Sequence, residues 1–343
     1  MKLLVTGGAG YIGSHTTAFL AEAGHDVAVL DNLSRTNRSV LAGLADILGR
    51  SVPFFQTDVR DAKGLDRVFE GRGFDAVLHF AALKAVGESV HRPAAFYDNN
   101  VAGTVSLLEA MDRHGCDSIV FSSSCTVYGE PDTLPVTEES PIKPATSPYG
   151  ATKQMCERIL ADVAATGRVR SISLRYFNPI GAHPSGKIGE LLVDGPSNLV
   201  PYLARAAAGA TGPVPVFGTD YPTPDGTAIR DYIDIMDLAE AHGAALGRLV
   251  SRVGASSEAI NVGTGTGRSV FEMIAAFERA TGVSVPTNHV ARRSGDVPAV
   301  WADPAVAESL LGWRTKRTLE QSLRTVWQWQ TRTTPAAQPS DAP

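Results

Sequence analysis

Tyr149 and Lys153 stand four residues apart in "SPYGATK", a spacing that puts two side chains on one helix face, one turn apart. A lysine ammonium beside a phenol favours the phenolate, so the pair can serve as a base near neutral pH. Bringing a phenol from its ordinary pKa near ~10 to about 7 takes roughly 4 kcal/mol of differential stabilisation. Ser124, in "SSSCTVYG", adds a hydroxyl at a strand end ahead of the pair. Together the three suit proton removal from a substrate hydroxyl, with the serine steadying the carbonyl that develops. Taken singly, each has a plainer reading. Tyr-x-x-x-Lys also decorates solvated helix faces, and a serine there also caps a turn.

A second group points to a nucleotide. Gly7, Gly10 and Gly13 recur at three-residue spacing in "VTGGAGYIGSH", between an apolar strand and the start of a helix. Glycine there permits the tight turn, close backbone approach to a pyrophosphate and close helix–sheet packing, while the helix N-terminus holds the phosphates. Asp31 ends the next strand 18 residues after Gly13, where a carboxylate binds ribose hydroxyls and repels an added 2′-phosphate. NAD is therefore favoured over NADP; an ordinary turn with an N-capping acid is the alternative.

The elements that must position these residues are legible as alternation. "KLLVTG", "DVAVLD", "VPFFQTD", "DAVLHFAA", "SIVFSSS" and "SISLRYF" read as strands separated by helical stretches, including one after Ile12 and one from about Pro93 to His114. The pattern predicts an α/β fold, a doubly wound parallel Rossmann-type sheet over residues 1–178. Beyond Asn178, Gly- and Pro-rich segments predict a second, smaller α/β substrate-binding domain over 179–343. A segment at about 229–263, which includes "DYIDIMDLAEAHGAAL", returns to the first domain, and a frayed tail begins at about 333. Two glycine-rich stretches are set aside. "GAHPSGKI" nearly matches a triphosphatase phosphate loop but ends in Ile188 where a hydroxyl would hold magnesium, and "GTGTG" at 263–267 lies outside an initial β–α–β unit.

Composition narrows the classes. Hydrophobic residues make up 43% and charged residues 20%, enough for a large core, and the net charge of −5 argues against nucleic acid as a partner. "MKLLVTGG" breaks into glycine too early for a signal peptide, and no apolar run suits a membrane span. Cys116, Cys125 and Cys156 have neither disulfide-framework nor zinc spacing, and the histidines show no ligand spacing. Reduced thiols, a cytoplasmic location and no metal are the expectation.

The spaced glycines, Ser124 and Tyr149-x-x-x-Lys153 together resemble the extended short-chain dehydrogenase/reductase family. Within it "GYIGSH", "LKAVGESV", "YDNNV", "SPYGATK", "RYFNPIGAHPSG" and "DGTAIRDYIDIMDLA" resemble the UDP-glucose 4-epimerases, from about Lys2 to Gln330. The resemblance implies an isomerase that passes hydride from C4 of a UDP-sugar to tightly bound NAD and back to the opposite face. It implies a cofactor site of Gly7, Gly10, Tyr11, Ile12, Gly13, Asp31, Asn32, Leu33, Ser34, Arg35, Thr36, Asp58, Val59, Phe80, Ala81, Ala82, Leu83, Lys84, Asn99, Tyr149, Lys153 and Phe177. For the UDP-sugar it implies Lys84, Ser124, Tyr149, Asn178, Asn198, Leu199, Phe217, Arg230, Arg293, Asp296 and Val300. It further implies a homodimer through the helices near 93–114 and 147–166.

Cys125 departs from the small residue usual in this family, Ala82 from a glycine, and Val300 occupies a site held elsewhere by tyrosine or a small residue. A sugar-nucleotide 4,6-dehydratase would need an acid just after Ser124, where Cys125 and Thr126 stand. A non-catalytic NAD-binding regulator would commonly lack the tyrosine or lysine. The sugar range stays open among hexoses, N-acetylhexosamines and pentoses.

Overall fold

The computed structural model describes residues 1–192, 198–293 and 296–333; the tail expected beyond residue 333 and part of the "GPSNLVP" loop lie outside them. The first half runs β1 (Lys2–Thr6), α1 (Tyr11–Glu22), β2 (Asp26–Asp31), α2 (Ser39–Leu48), β3 (Phe54–Gln56), α3 (Ala62–Phe69), β4 (Ala76–His79), α4 (Val86–His91), α5 (Pro93–Phe96), α6 (Gly103–Arg113), β5 (Ser118–Ser122), α7 (Pro148–Ala165) and β6 (Arg170–Tyr176). The second half adds β7 (Asn178–Ile180), α8 (Leu199–Ala207), β8 (Val214–Phe217), β9 (Ile229–Asp234), α9 (Ile235–Ser251), β10 (Ser256–Val262), β11 (Gly267–Ser269), α10 (Val270–Thr281), β12 (Thr287–Val290), β13 (Ala299–Val300), α11 (Ala305–Leu311) and α12 (Leu319–Thr333).

Seven strands form one parallel sheet in the order β10-β6-β5-β4-β1-β2-β3. Its central strands are apolar on both faces because helices cover both, so Leu3, Leu4, Val77, Leu78, Ile119 and Val120 are all fully buried. One face packs against α1 and α9, the other against α3, α6 and α7. The chain runs from β1 outward through β2 to β3 and then crosses back to β4 on the other side of β1. This reversal opens a crevice beyond the carboxyl ends of the strands, where an open α/β sheet takes its ligand.

The smaller unit centres on β9, flanked by β11 and β13 and paired also with β7, beside a β8–β12 pair. Helices α8, α10 and α12 supply its apolar core. Of the segment expected to return, β9 belongs to this smaller sheet, whereas α9 and β10 join the large one. The two discounted glycine stretches are loops with mechanical jobs. Thr264 and Gly265 of "GTGTG" turn their amides onto the buried Asp231 carboxylate, and "GAHPSGKI" docks on α2, with Lys187 paired to Asp46 at 3.0 Å.

The single helix expected from Pro93 to His114 is three pieces: α5, a π turn over Tyr97–Ala102, and α6. The buried Asn100 accounts for the offset. Its side chain is committed outward, accepting from the Leu83 amide at 2.8 Å and donating to the Leu83 carbonyl and to Thr152 at 3.0 Å each. The π turn aims it there, and such bulges recur at functional sites.

Candidate active site

The glycine turn closes over β1 because nothing larger fits. Gly7 sits at φ +68°, and a Cβ there would come within 2.6 Å of the Ala81 nitrogen. A Cβ on Gly13 would meet the Gly7 carbonyl oxygen at 2.3 Å. α1 therefore starts hard against the sheet, and Gly10 caps it without a side chain. Its first amides stay open toward the crevice, the arrangement that receives a pyrophosphate.

The cleft is lined by Gly7, Gly10, Asp31, Asn32, Ser34, Arg35, Thr36, Val59, Phe80, Ala81, Ala82, Leu83 and Asn99 from the expected set. Leu30 and Thr57 line it too and were missed. Their only signal was position at the carboxyl ends of strands, since Thr57 directly follows β3 and its amide bonds the Asp31 carbonyl at 3.2 Å. Asp31 accepts from the Leu33 and Ala9 amides at 2.8 and 3.1 Å. Burial pushes its pKa up and those two amides pull it back. Leu33 takes a left-handed φ of 61° to make that contact. Asp58 lies just outside, fastened to Asn32 and Arg60 and held well below the usual carboxylate range by the guanidinium. Arg35, which also lines the cleft, pairs with Glu88 at 2.5 Å. A dinucleotide with unmodified ribose fits this donor set, and one with a 2′-phosphate would meet a buried carboxylate. Tyr11 and Lys84 stand at the rim, the first donating to the Gly181 carbonyl at 2.6 Å and the second paired with Glu190 at 2.6 Å.

At the carboxyl end of β5 the three chemical residues converge. Ser147 caps α7 and Pro148 opens it, which fixes Tyr149 and Lys153 in successive turns of one helix. Lys153 is buried, its Nζ donating to the Ser122 carbonyl at 2.5 Å and standing 5.8 Å from the Tyr149 ring centre. Burial lowers its pKa to about 8. Ser124, in extended backbone, accepts from the Thr126 amide at 3.2 Å, so it does cap the short turn after it. Desolvation raises the Tyr149 phenol above its ordinary value, and the Ser124 hydroxyl pulls it back only in part. Burial works against the phenolate in this chain, so the positive charge expected from Lys153 together with a nicotinamide ring has that desolvation to offset as well.

The residues expected around the UDP-sugar form a neighbouring group. Arg230 on β9 pairs with Asp296, the Arg293 guanidinium lies 4.1 Å from the Phe217 ring centre, and the Asp296 amide reaches the Arg293 carbonyl at 3.4 Å. Val300 is opposite Arg230 in the β13–β9 register and packs with Phe177, Val127 and Cys125. Cys125, buried enough to have its thiol pushed up to about 12, feels Arg230 in turn, so the arginine group and the Ser124 turn adjoin. Asn178 lies on β7 opposite Tyr232, while Asn198 and Leu199 start α8.

Comparison with known proteins agrees with this arrangement. The family model described as GDP-mannose 4,6 dehydratase matches residues 4–326. UDP-glucose 4-epimerase of Neisseria meningitidis serogroup B is 51% identical, with 96% of each chain covered. The chain belongs to the UDP-glucose 4-epimerase family. A solved UDP-glucose 4-epimerase from Stenotrophomonas maltophila, with NAD and formylated UDP-arabinopyranose, superposes with a TM-score of 0.94 at 47% identity over 97% of this chain and 98% of that one. The epimerase of Bifidobacterium longum, bound to NAD+ and UDP, also gives 0.94, at 44% identity over 97% and 99%. Beside Ser124 this chain carries Cys125 and Thr126, neither of them an acid such as a dehydratase was expected to need there.

Proposed function

We infer that this protein interconverts UDP-galactose and UDP-glucose through a 4-keto sugar, with NAD retained between turnovers. What supports the reading is the grouping of Ser124, Tyr149 and Lys153 at the carboxyl end of β5, in the same sheet whose glycine turn lines the dinucleotide cleft, near the Arg230–Asp296 pair. Bound NAD supplies the hydride acceptor and donor, together with positive charge near the phenol. Tyr149 takes the proton from the sugar 4-hydroxyl and later returns it, and Ser124 donates to the same oxygen as it becomes a carbonyl. Lys153 keeps the phenolate accessible and helps hold the cofactor's ribose. Arg230 and Arg293 grip the diphosphate and Asp296 accepts ribose hydroxyls. Held at the UDP end, the free keto sugar can turn over and present its other face.

Purified protein given UDP-galactose should produce UDP-glucose with no net change in free NADH, and denaturation should release nicotinamide near stoichiometrically. Net accumulation of NADH or of a dehydrated sugar would refute the assignment. Valine at 300 is smaller than the tyrosine some members of the family carry there, so the range is proposed to include UDP-N-acetylhexosamines at a lower rate. The assembly is proposed as a homodimer through the α5–α6 and α7 region: Val105 on α6 and Met155 on α7 are exposed apolar side chains, and α4, which contacts α7, adds Val86 and Val90. Sedimentation as a monomer at micromolar concentration would rule this out. Three free cysteines fit a cytoplasmic setting, and among the described residues no helix is long and apolar enough to cross a membrane.

A further inference from the structure

Behind the catalytic turn lies a polar network that the proposed reaction does not use. Glu157, one turn beyond Lys153 on α7, accepts from the Ser123 hydroxyl at 2.5 Å. The same carboxylate is gripped by Arg175 of β6 through Nε at 3.0 Å and a terminal nitrogen at 2.6 Å. Arg175 continues to the Tyr128 hydroxyl at 3.0 Å, which donates to Asn261 of β10 at 2.7 Å. Ser123 and Tyr128 bracket Ser124 and the turn it caps. The helix that carries Tyr149 and Lys153 is therefore fastened to the serine's segment at three points: Lys153 to the Ser122 carbonyl, Gln154 to the Val127 carbonyl at 2.8 Å, and Glu157 to Ser123. Arg175 is 7% exposed. A charge pair this secluded is a weak source of stability, because desolvation offsets its attraction, and it is better suited to fixing geometry.

We propose that Glu157, held by Arg175, is a positioning residue for epimerisation, setting Ser124 against the Tyr149–Lys153 helix by holding Ser123. The inference rests on the proposed function above. Hydroxyl and phenol must meet the same sugar oxygen, and a base misplaced by about an ångström loses much of its rate. The carboxylate has a second effect. The titratable groups facing Lys153 are Tyr149, Cys156 and Glu157 on its own helix and His79 on β4, with Tyr176 beyond Ser122 on β6. His79 stays neutral, held to about 3 by burial, and burial keeps the Cys156 thiol protonated. The Glu157 carboxylate raises the Lys153 pKa, so its removal lowers it.

Two variants separate tether from charge. Ser123→Ala removes the tether and keeps the ion pair; Glu157→Gln keeps a shape that can accept from Ser123 but removes the charge and one Arg175 contact. Turnover of UDP-galactose, KM, bound nicotinamide and the pH profile of kcat are measured on each folded holoenzyme. Ser123→Ala should lower kcat about fivefold to tenfold with KM within about twofold and no displacement of the pH profile, the mark of lost transition-state geometry. Glu157→Gln should lower kcat further and move the alkaline limb, set by Lys153, to lower pH. Combining them should cost less than the product of the single effects, since both act through one contact. A kcat per bound nicotinamide that matches the parent in Ser123→Ala overturns the inference even if Glu157→Gln fails to fold, as does a change confined to KM. A parent that does not epimerise sinks the proposed function and this inference together; an active parent with unaffected variants sinks this inference alone.

Discussion

Lys153→Met isolates the electrostatic half of the base. The ammonium lies 5.8 Å from the Tyr149 ring centre. At that distance, with an effective dielectric of ~20, a unit charge is worth about 3 kcal/mol, or roughly two units of phenol pKa. Burial already holds Tyr149 above its ordinary value, so the phenolate fraction at neutral pH depends steeply on this contribution. Turnover of UDP-galactose in Lys153→Met at neutral pH should fall about a hundredfold, and the acidic limb of the kcat profile should move up by about two units. The alkaline side changes as well. In the parent, Lys153 loses its proton as pH rises through about 8, and the rate should decline there; the variant has no such proton to lose. UDP-glucose formed is followed by a coupled dehydrogenase or by chromatography, and each rate is divided by nicotinamide released on denaturation, which removes any effect of weakened cofactor binding. Rates that drop without displacement of the acidic limb would show that Lys153 acts only by holding structure, and the charge argument would fail.

Tyr149→Phe keeps the ring and removes the proton carrier, so turnover per bound nicotinamide should fall about a hundredfold or more while the nicotinamide stays bound; full activity would disprove the base assignment. Gly7→Ala forces a side chain into a left-handed residue and against Ala81, with a cost of at least about 1–2 kcal/mol. It should melt earlier and purify with little nicotinamide, and normal cofactor content would contradict the close-approach argument. Val300→Tyr should depress turnover of UDP-N-acetylgalactosamine far more than that of UDP-galactose, and equal losses on both would refute the steric reading of that position.

What could be foreseen from sequence tracks how local its cause is. The glycine turn, Asp31 and the Tyr149–Lys153 pair are set by short spacings and strand ends, and the structure places them as their spacing implies. Asn100 escaped notice because its role depends on Leu83 and Thr152, which meet only once β4 and α7 are packed. The π turn was invisible for the same reason, since nothing in "YDNNV" distinguishes an added residue from an ordinary helical turn. The desolvation of the Tyr149 phenol was not legible, because charge proximity can be read from four-residue spacing whereas burial comes from the surrounding fold. Arg230, Arg293 and Asp296 come from distant stretches, and only likeness to a family singled them out before their contacts could be seen.

The late arrival of β10 governs how the protein can be made. The large sheet is finished only when residues 256–262 pair with β6, and one of its faces is covered by α9, whose Leu238, Ala241, Leu246 and Leu249 belong to its core. A nascent chain that has emerged only through β6 carries every residue of the glycine turn and the Tyr149–Lys153 helix. It nevertheless leaves the part of one apolar face that α9 covers, and one strand edge, exposed until some eighty further residues have left the ribosome. The cofactor half cannot be excised as a module: a stop placed after β6 should yield an aggregating fragment, and chaperone engagement during synthesis should persist until Val262 is clear of the exit tunnel.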